Sequence, residues 1–166
     1  MESHLHFGSI VWGCAKQNIL NKIEILQKKA IRHVCNLKYN AHTAEYFKKY
    51  NNLTFYDLVS FNQAIFMRNY TNNKLPSSFN NMLSPVPDNH GRSRDDDYNF
   101  ILPHNNFAKL HHFPTPKLVY NWNNLPVTLK SVSEPLKFRT ELKQHFFSTY
   151  ETDCTKLKCY SCQTHN

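Results

Sequence analysis

The chain has 166 residues, of which 40% are hydrophobic and 14% aromatic, enough to build one ordinary domain with a real core. Only three glycines occur, so there is no Gly-rich phosphate loop, which argues against the common nucleotide-binding enzymes. The formal net charge of +8 is uneven: residues 1–74 carry ten Lys/Arg against four Asp/Glu, and the remainder ten against eight, so the first half favours a polyanionic partner such as nucleic acid.

In chain order, Leu5 to Gly13 is short and apolar and predicts a helical turn or two closed by Gly13. The first strong helix is expected over 18–37. There Ile19, Ile23, Leu26, Ala30, Val34 and Leu37 recur at steps of three and four and so stack on one face. Lys22, Lys28, Lys29 and Arg32 lie off that stripe. A short helix is expected over 43–50, stopped by Asn51-Asn52. A third begins at Thr54, where Asp57 three residues on gives a capping-box-like start, and ends before Asn72-Asn73 and Pro76. It is apolar over more than half its circumference, which makes it the expected central helix.

From Ser84 to Pro116 the pattern changes. Pro85, Pro87, Gly91, Pro103, Pro114 and Pro116 act as helix breakers, and Arg92 to Asp97 reads as a charged loop. Tyr98 to Leu102 is expected as a short strand closed by Pro103, and Trp122 with Leu125-Pro126 as a packing turn. A last helix is expected from about Ser133, with Pro135 in its first turn and Phe138, Leu142 and Phe146 on one face. A polar tail follows Tyr150. Asparagine is abundant, at 20 residues, yet scattered.

The chemistry-bearing residues are few. Asp95-Asp96-Asp97 beside Tyr98 is the wrong way round for a catalytic hairpin and reads as a solvated acidic loop. His104, His111 and His112 match no metal-ligand spacing and read as surface histidines. Lys16, Lys22, Lys28, Lys29 and Arg32, on or beside the first strong helix, suit contact with the nucleic-acid backbone. The apolar stripe would anchor that helix, and the plainer alternative is an ordinary solvated face. Trp12 and Trp122 read as core side chains rather than base-stacking platforms. Cys154, Cys159, Cys162 and His165 give C-x4-C-x2-C-x2-H, which is either a small zinc site or a tail of free thiols. Cys14 and Cys35 sit among apolar residues and read as packing residues.

Five cysteines are an awkward number for a disulfide framework, and Phe7 to Trp12 is short and follows Glu2 rather than a basic segment. An intracellular setting, nuclear or cytoplasmic, is expected. No run approaches the ~18 apolar residues of a membrane span, so no membrane partner is expected.

An ordered set of segments resembles the region downstream of the palm in non-LTR (LINE-type) retrotransposon reverse transcriptases of the Jockey kind. It opens with Ser3-His4-Leu5-His6-Phe7-Gly8, Trp12-Gly13 and the run from Leu26 to Arg32. His42-Thr43, Phe47-Lys48-Lys49, Phe66-Met67, Asn72-Asn73, Leu75-Pro76 and Phe79-Asn80-Asn81 follow. Pro116-Lys117-Leu118, Trp122 to Pro126, the helix from Leu136 to Lys143 and the terminal cysteines complete it. Phe7 stands where that family usually has Tyr, and the stretch from Pro116 to Trp122 is spaced differently from its commoner form.

The resemblance implies a thumb-like helical element that grips a primer–template duplex. The paired carboxylates on a Tyr-x-Asp-Asp type turn, which polymerisation needs for two metal ions, are not in this sequence. The expectation is therefore a C-terminal fragment of an RNA-directed DNA polymerase without polymerase chemistry of its own. Its fold is expected to be mainly α, with a helical thumb-like domain at 1–80 and a loop-rich, Pro-broken extension with minor β at 81–132. A C-terminal helix at 133–150 and a Cys-containing tail at 151–166 follow. The expected partner is RNA or DNA, with another element-encoded protein as a further one. No cofactor is required, zinc on the tail being the one candidate. The alternative is a remnant or repurposed helical module that binds protein.

Overall fold

The structure is a computed structural model, and it describes residues 5–87, 98–102 and 114–150. It is mainly helical. In chain order the helices are α1 (Ser9–Trp12), α2 (Gln17–Val34), α3 (Ala44–Lys49) and α4 (Phe55–Thr71), followed by a 3-10 turn at Ser77–Phe79. Then come α5 (Pro114–Asn123), α6 (Val127–Lys130) and α7 (Pro135–Ser148).

Helix α4 is the central element, as its composition predicts. Thr54 is its N-cap: the Asp57 N–H donates to Thr54 Oγ1 at 3.4 Å, and Thr54 Oγ1 in turn donates to Asp57 Oδ2. This satisfies one of the N–H groups that a helix start leaves unpaired. The Thr54 backbone N–H is also taken, by Tyr150 Oη at 2.8 Å, which ties the end of α7 to the start of α4. Burial raises the Tyr150 pKa far above the usual phenol range. Leu58, Ala64 and Met67 of α4 pack with Leu118, Val119 and Trp122 of α5 and with Phe138, Leu142 and Phe147 of α7. Phe147, rather than the expected Phe146, is the buried member of the last turn.

Two cations are built into this core. Arg68, only 5% exposed, donates to the carbonyls of Val132 and Ser133 just ahead of α7, and its guanidinium lies 4.5 Å from the Phe138 ring centroid. Burial lowers its pKa. Lys130 is 7% exposed and donates from Nζ to Asn99 Oδ1 and to the Asn123 carbonyl, each at 2.9 Å.

Helix α5 corrects the reading of Pro114 and Pro116 as breakers. Both sit in its first turn, where the backbone N–H has no intrahelical acceptor, so a residue without one costs nothing there. Trp122 accordingly lies on a helix rather than in a turn. Its ring is buried, and its indole N–H donates to the Tyr98 carbonyl at 2.7 Å. The strand expected over Tyr98 to Leu102 is also corrected. Among the described residues the β structure is one isolated antiparallel bridge, Pro85 with Phe100. The place of a further strand is taken by the Asn123 carboxamide, which accepts from the Phe100 N–H at 3.1 Å and donates to its carbonyl at 2.8 Å.

Three helix stops in this glycine-poor chain, after α2, α3 and α4, use asparagine. Among the described residues, those with left-handed φ other than glycine are Asn36, Asn51, Asn73 and Asn81. After α2, α3 and α4 the same pair of bonds recurs. Leu37 N–H reaches the Arg32 carbonyl and Asn36 N–H that of His33; Asn52 reaches Phe47 and Asn51 reaches Lys48; Lys74 reaches Asn69 and Asn73 reaches Tyr70. These are Schellman closures, and asparagine is the residue after glycine that best tolerates the conformation they need. Gly13 meets a different, tighter demand. A Cβ at Gly13 would lie 2.5 Å from Val59 Cγ1, so α1 can approach α4 only with a hydrogen there.

Candidate nucleic-acid interface

Helix α2 carries the five cations singled out from the sequence, and how it docks decides which of them face solvent. The expected stripe is corrected by one residue. Ile19, Leu26 and Val34 are 50%, 63% and 78% exposed, whereas Leu20 and Gln27 are buried. At roughly 100° per residue, a one-residue shift moves the docked line by about a quarter turn. Leu20 is drawn in by Phe55 and Val59 of α4, with Trp12, Ile23 and Tyr56 around them. Trp12 stacks on Phe55 at 5.6 Å and donates its indole N–H to the Phe7 carbonyl, so both tryptophans are structural. Gln27 Nε2 donates to the Leu53 carbonyl at 3.0 Å, anchoring the middle of α2 to the α3–α4 link. At the start of α2, Gln17, Asn21 and Tyr56 form a hydrogen-bonded group; burial, then the nearby Glu24 carboxylate, raise the Tyr56 pKa.

The face opposite Leu20 and Gln27 is basic. Lys22 and Lys29 are exposed on it, two turns apart, a rise of about 10 Å. Lys16 is the exposed N-cap residue of the same helix. The other two cations are engaged. Lys28 pairs with Glu24 at 2.7 Å, and Arg32 is half-buried with its Nε–H on the Ala41 carbonyl at 2.8 Å. Lys16, Lys22 and Lys29 are therefore the exposed cations of the five, and Arg32 has a structural task, closing the loop after α2. Sequence reading passes over Lys38, Lys48 and Lys49, which are exposed on the α2–α3 link and at the end of α3. Their signal is charge alone: residues 16–50 hold eight Lys/Arg against two Asp/Glu, a surplus of six.

The remaining expected sites fall elsewhere. Cys154, Cys159, Cys162 and His165 lie outside the described residues, as do the acidic run at Asp95 to Asp97 and the three histidines from His104 to His112. Among the described residues no three His, Cys, Asp or Glu side chains gather as a metal-holding group. Cys14 and Cys35 are free thiols, and burial raises the Cys14 pKa against an opposing pull from Lys117. Cys14 belongs to a polar seam under α1. There Lys117 Nζ donates to the Gly13 carbonyl at 2.9 Å, and fully buried Gln63 accepts from Asn121 Nδ2 at 2.6 Å. Every partner in that seam is internal, so it holds helices together.

No helix among the described residues is long and apolar enough to cross a membrane. No protein-family model matches the chain, and neither a curated protein nor a solved structure is significantly similar to it.

Proposed function

We propose that α2 holds nucleic acid by its phosphates, through Lys16, Lys22 and Lys29, as the thumb-like gripping part of a non-LTR reverse transcriptase. In this reading the chain grips RNA or DNA and has no polymerase chemistry of its own. The resemblance of the segments from Ser3 to Lys143 suggests the family. The observation that carries the reading is the geometry of α2: one side is fixed to α4 by Leu20 and Gln27, and the opposite side presents unpaired lysines two turns apart. A rigid helix with cations on its solvent face suits a regular array of phosphates, and contacts of that kind position a duplex without reading its sequence.

The test is the double variant Lys22→Glu, Lys29→Glu. Its affinity for a primer–template duplex is expected to fall at least about tenfold at low salt, equally for unrelated sequences. The slope of log affinity against log salt should become shallower by about 0.9 for each phosphate that is no longer neutralised. Unchanged affinity and slope would sink the assignment. Template-directed nucleotide incorporation by the purified chain would overturn the non-catalytic half of the reading.

A further inference from the structure

The chain leaving α2 makes a turn that phosphate holding by the helix does not use. It runs from Lys38 to Ala41, closed by the Ala41 N–H on the Lys38 carbonyl at 3.0 Å, and Tyr39 is its second residue. We infer that Tyr39 is a stacking platform for one unpaired base, in a single-stranded stretch that continues a duplex held on α2. The inference deepens the phosphate-holding reading and takes the position of the strand from it.

Exposure alone decides little, because single apolar side chains on a surface are ordinary. Tyr39 is 85% exposed, and among the described residues its ring stacks on nothing and its hydroxyl has no hydrogen-bond partner. What sets it apart is its mounting. The Leu37 N–H donates to the Arg32 carbonyl at 2.8 Å, and the Arg32 Nε–H donates to the Ala41 carbonyl at 2.8 Å. Arg32 therefore holds the chain on both sides of Tyr39, once through its backbone and once through its side chain. A ring mounted in this way gives up little freedom when a flat partner lands on it.

The mount also sits on the right side of α2. Arg32 follows Lys29 by three residues, so it lies about 60° from Lys29 around the helix and is its surface neighbour. It follows Gln27 by five, which puts it about 140° from that docked side chain. The turn that Arg32 carries is thus fastened beside the lysine face and away from α4.

The neighbours in the turn select the occupant. Tyr39 stands between Lys38, an exposed cation, and Asn40. A protein-binding hot spot is ringed by contacts that exclude water, whereas here the flanks are polar. A cation next to a bare ring suits one nucleotide, its phosphate on Lys38 and its base on Tyr39, and any base serves because each has a π-face.

The experiment uses the full chain and three labelled duplexes: one blunt, one with a short single-stranded extension, and one whose extension is abasic. Fluorescence anisotropy gives the affinities. The extended duplex is expected to bind about 5–10-fold more tightly than the abasic one, the lower end of what one stacked base is worth. Tyr39→Ala should erase that preference and leave binding of the blunt duplex unchanged. Tyr39→Trp should keep the preference, and its added indole emission should be quenched by the extended duplex but not by the abasic one. The double variant Lys22→Glu, Lys29→Glu should weaken all three duplexes alike, which tests phosphate holding separately. If that variant binds all three as before while Tyr39→Ala still removes the preference, the phosphate track fails and the platform stands. Equal binding of the extended and abasic duplexes to the unaltered chain would overturn the inference, as would a preference untouched by Tyr39→Ala; the exposed ring would then belong to a protein contact.

Discussion

The cations of this chain meet two different fates in two regions of the molecule. In the body formed by α4, α5, α6 and α7, Arg68 and Lys130 are buried; Arg68 is taken up by two backbone carbonyls, and Lys130 by one carbonyl and the Asn99 side chain. In the wing formed by α2 and α3, Lys16, Lys22, Lys29, Lys48 and Lys49 stand exposed. The apolar packing divides the same way. Among the described residues the body's core runs through fourteen buried side chains from Leu53 to Phe147, while α2 is held by a second cluster of three, Leu20, Phe55 and Val59. A net charge of +8 is therefore not one property. Part of it is mortar, and part of it is available to a partner.

The largest expected effect separates mortar from surface. Arg68→Met removes the donor to two carbonyls at the α6–α7 link and the cation over Phe138, so it should cost about 3 kcal/mol in urea unfolding. Lys29→Met should change stability by no more than about 0.5 kcal/mol while weakening duplex binding. Equal stability losses in the two variants would erase the distinction between the regions.

The next effect concerns the stripe of α2. Leu20→Ala should destabilise by about 2–4 kcal/mol, because it opens a void against Phe55 and Val59. Leu26→Ala should stay within about 0.5 kcal/mol, since Leu26 is 63% exposed and alanine favours the helix. The stripe expected from the sequence predicts the reverse order, and thermal unfolding of the two variants decides between them.

That reversal shows what is legible in the residues. The start of α4 at Thr54 can be read because its cap is a side chain within three positions of the backbone it serves, and that of α7 because Pro135 suits a helix's first turn. The stops at Asn51 and Asn73 can be read for the same reason. Which edge of α2 docks cannot, because Phe55 and Val59 decide it from more than thirty positions away. Helix α5 escapes any reading of proline as a breaker alone, although a helix's first turn leaves N–H groups unbonded in any case. On the candidate face of α2, the pairing of Lys28 with Glu24 is a four-residue spacing visible in the text, whereas the capture of Arg32 by Ala41 depends on how the chain turns after Asn36.

The smallest effect sharpens the comparison most, because it places one motif in both regions. Asn36 closes α2 and Asn73 closes α4, each with left-handed φ and the same two closing bonds. Replacing either by alanine should cost about 1 kcal/mol, the penalty for a Cβ that prefers another conformation. How that cost is felt depends on what the helix end is attached to. Below Asn73 the chain runs into Leu83 and the core shared with α5 and α7, so Asn73→Ala should lower the global melting temperature. Beyond Asn36 lie the exposed Lys38 and Tyr39, and α2 is fastened by few buried side chains, so it can open without the body unfolding. Asn36→Ala should therefore speed hydrogen exchange in the last turn of α2 about fivefold while leaving the global melting temperature almost unchanged. A matching drop in melting temperature for both variants would mean that wing and body unfold as one unit.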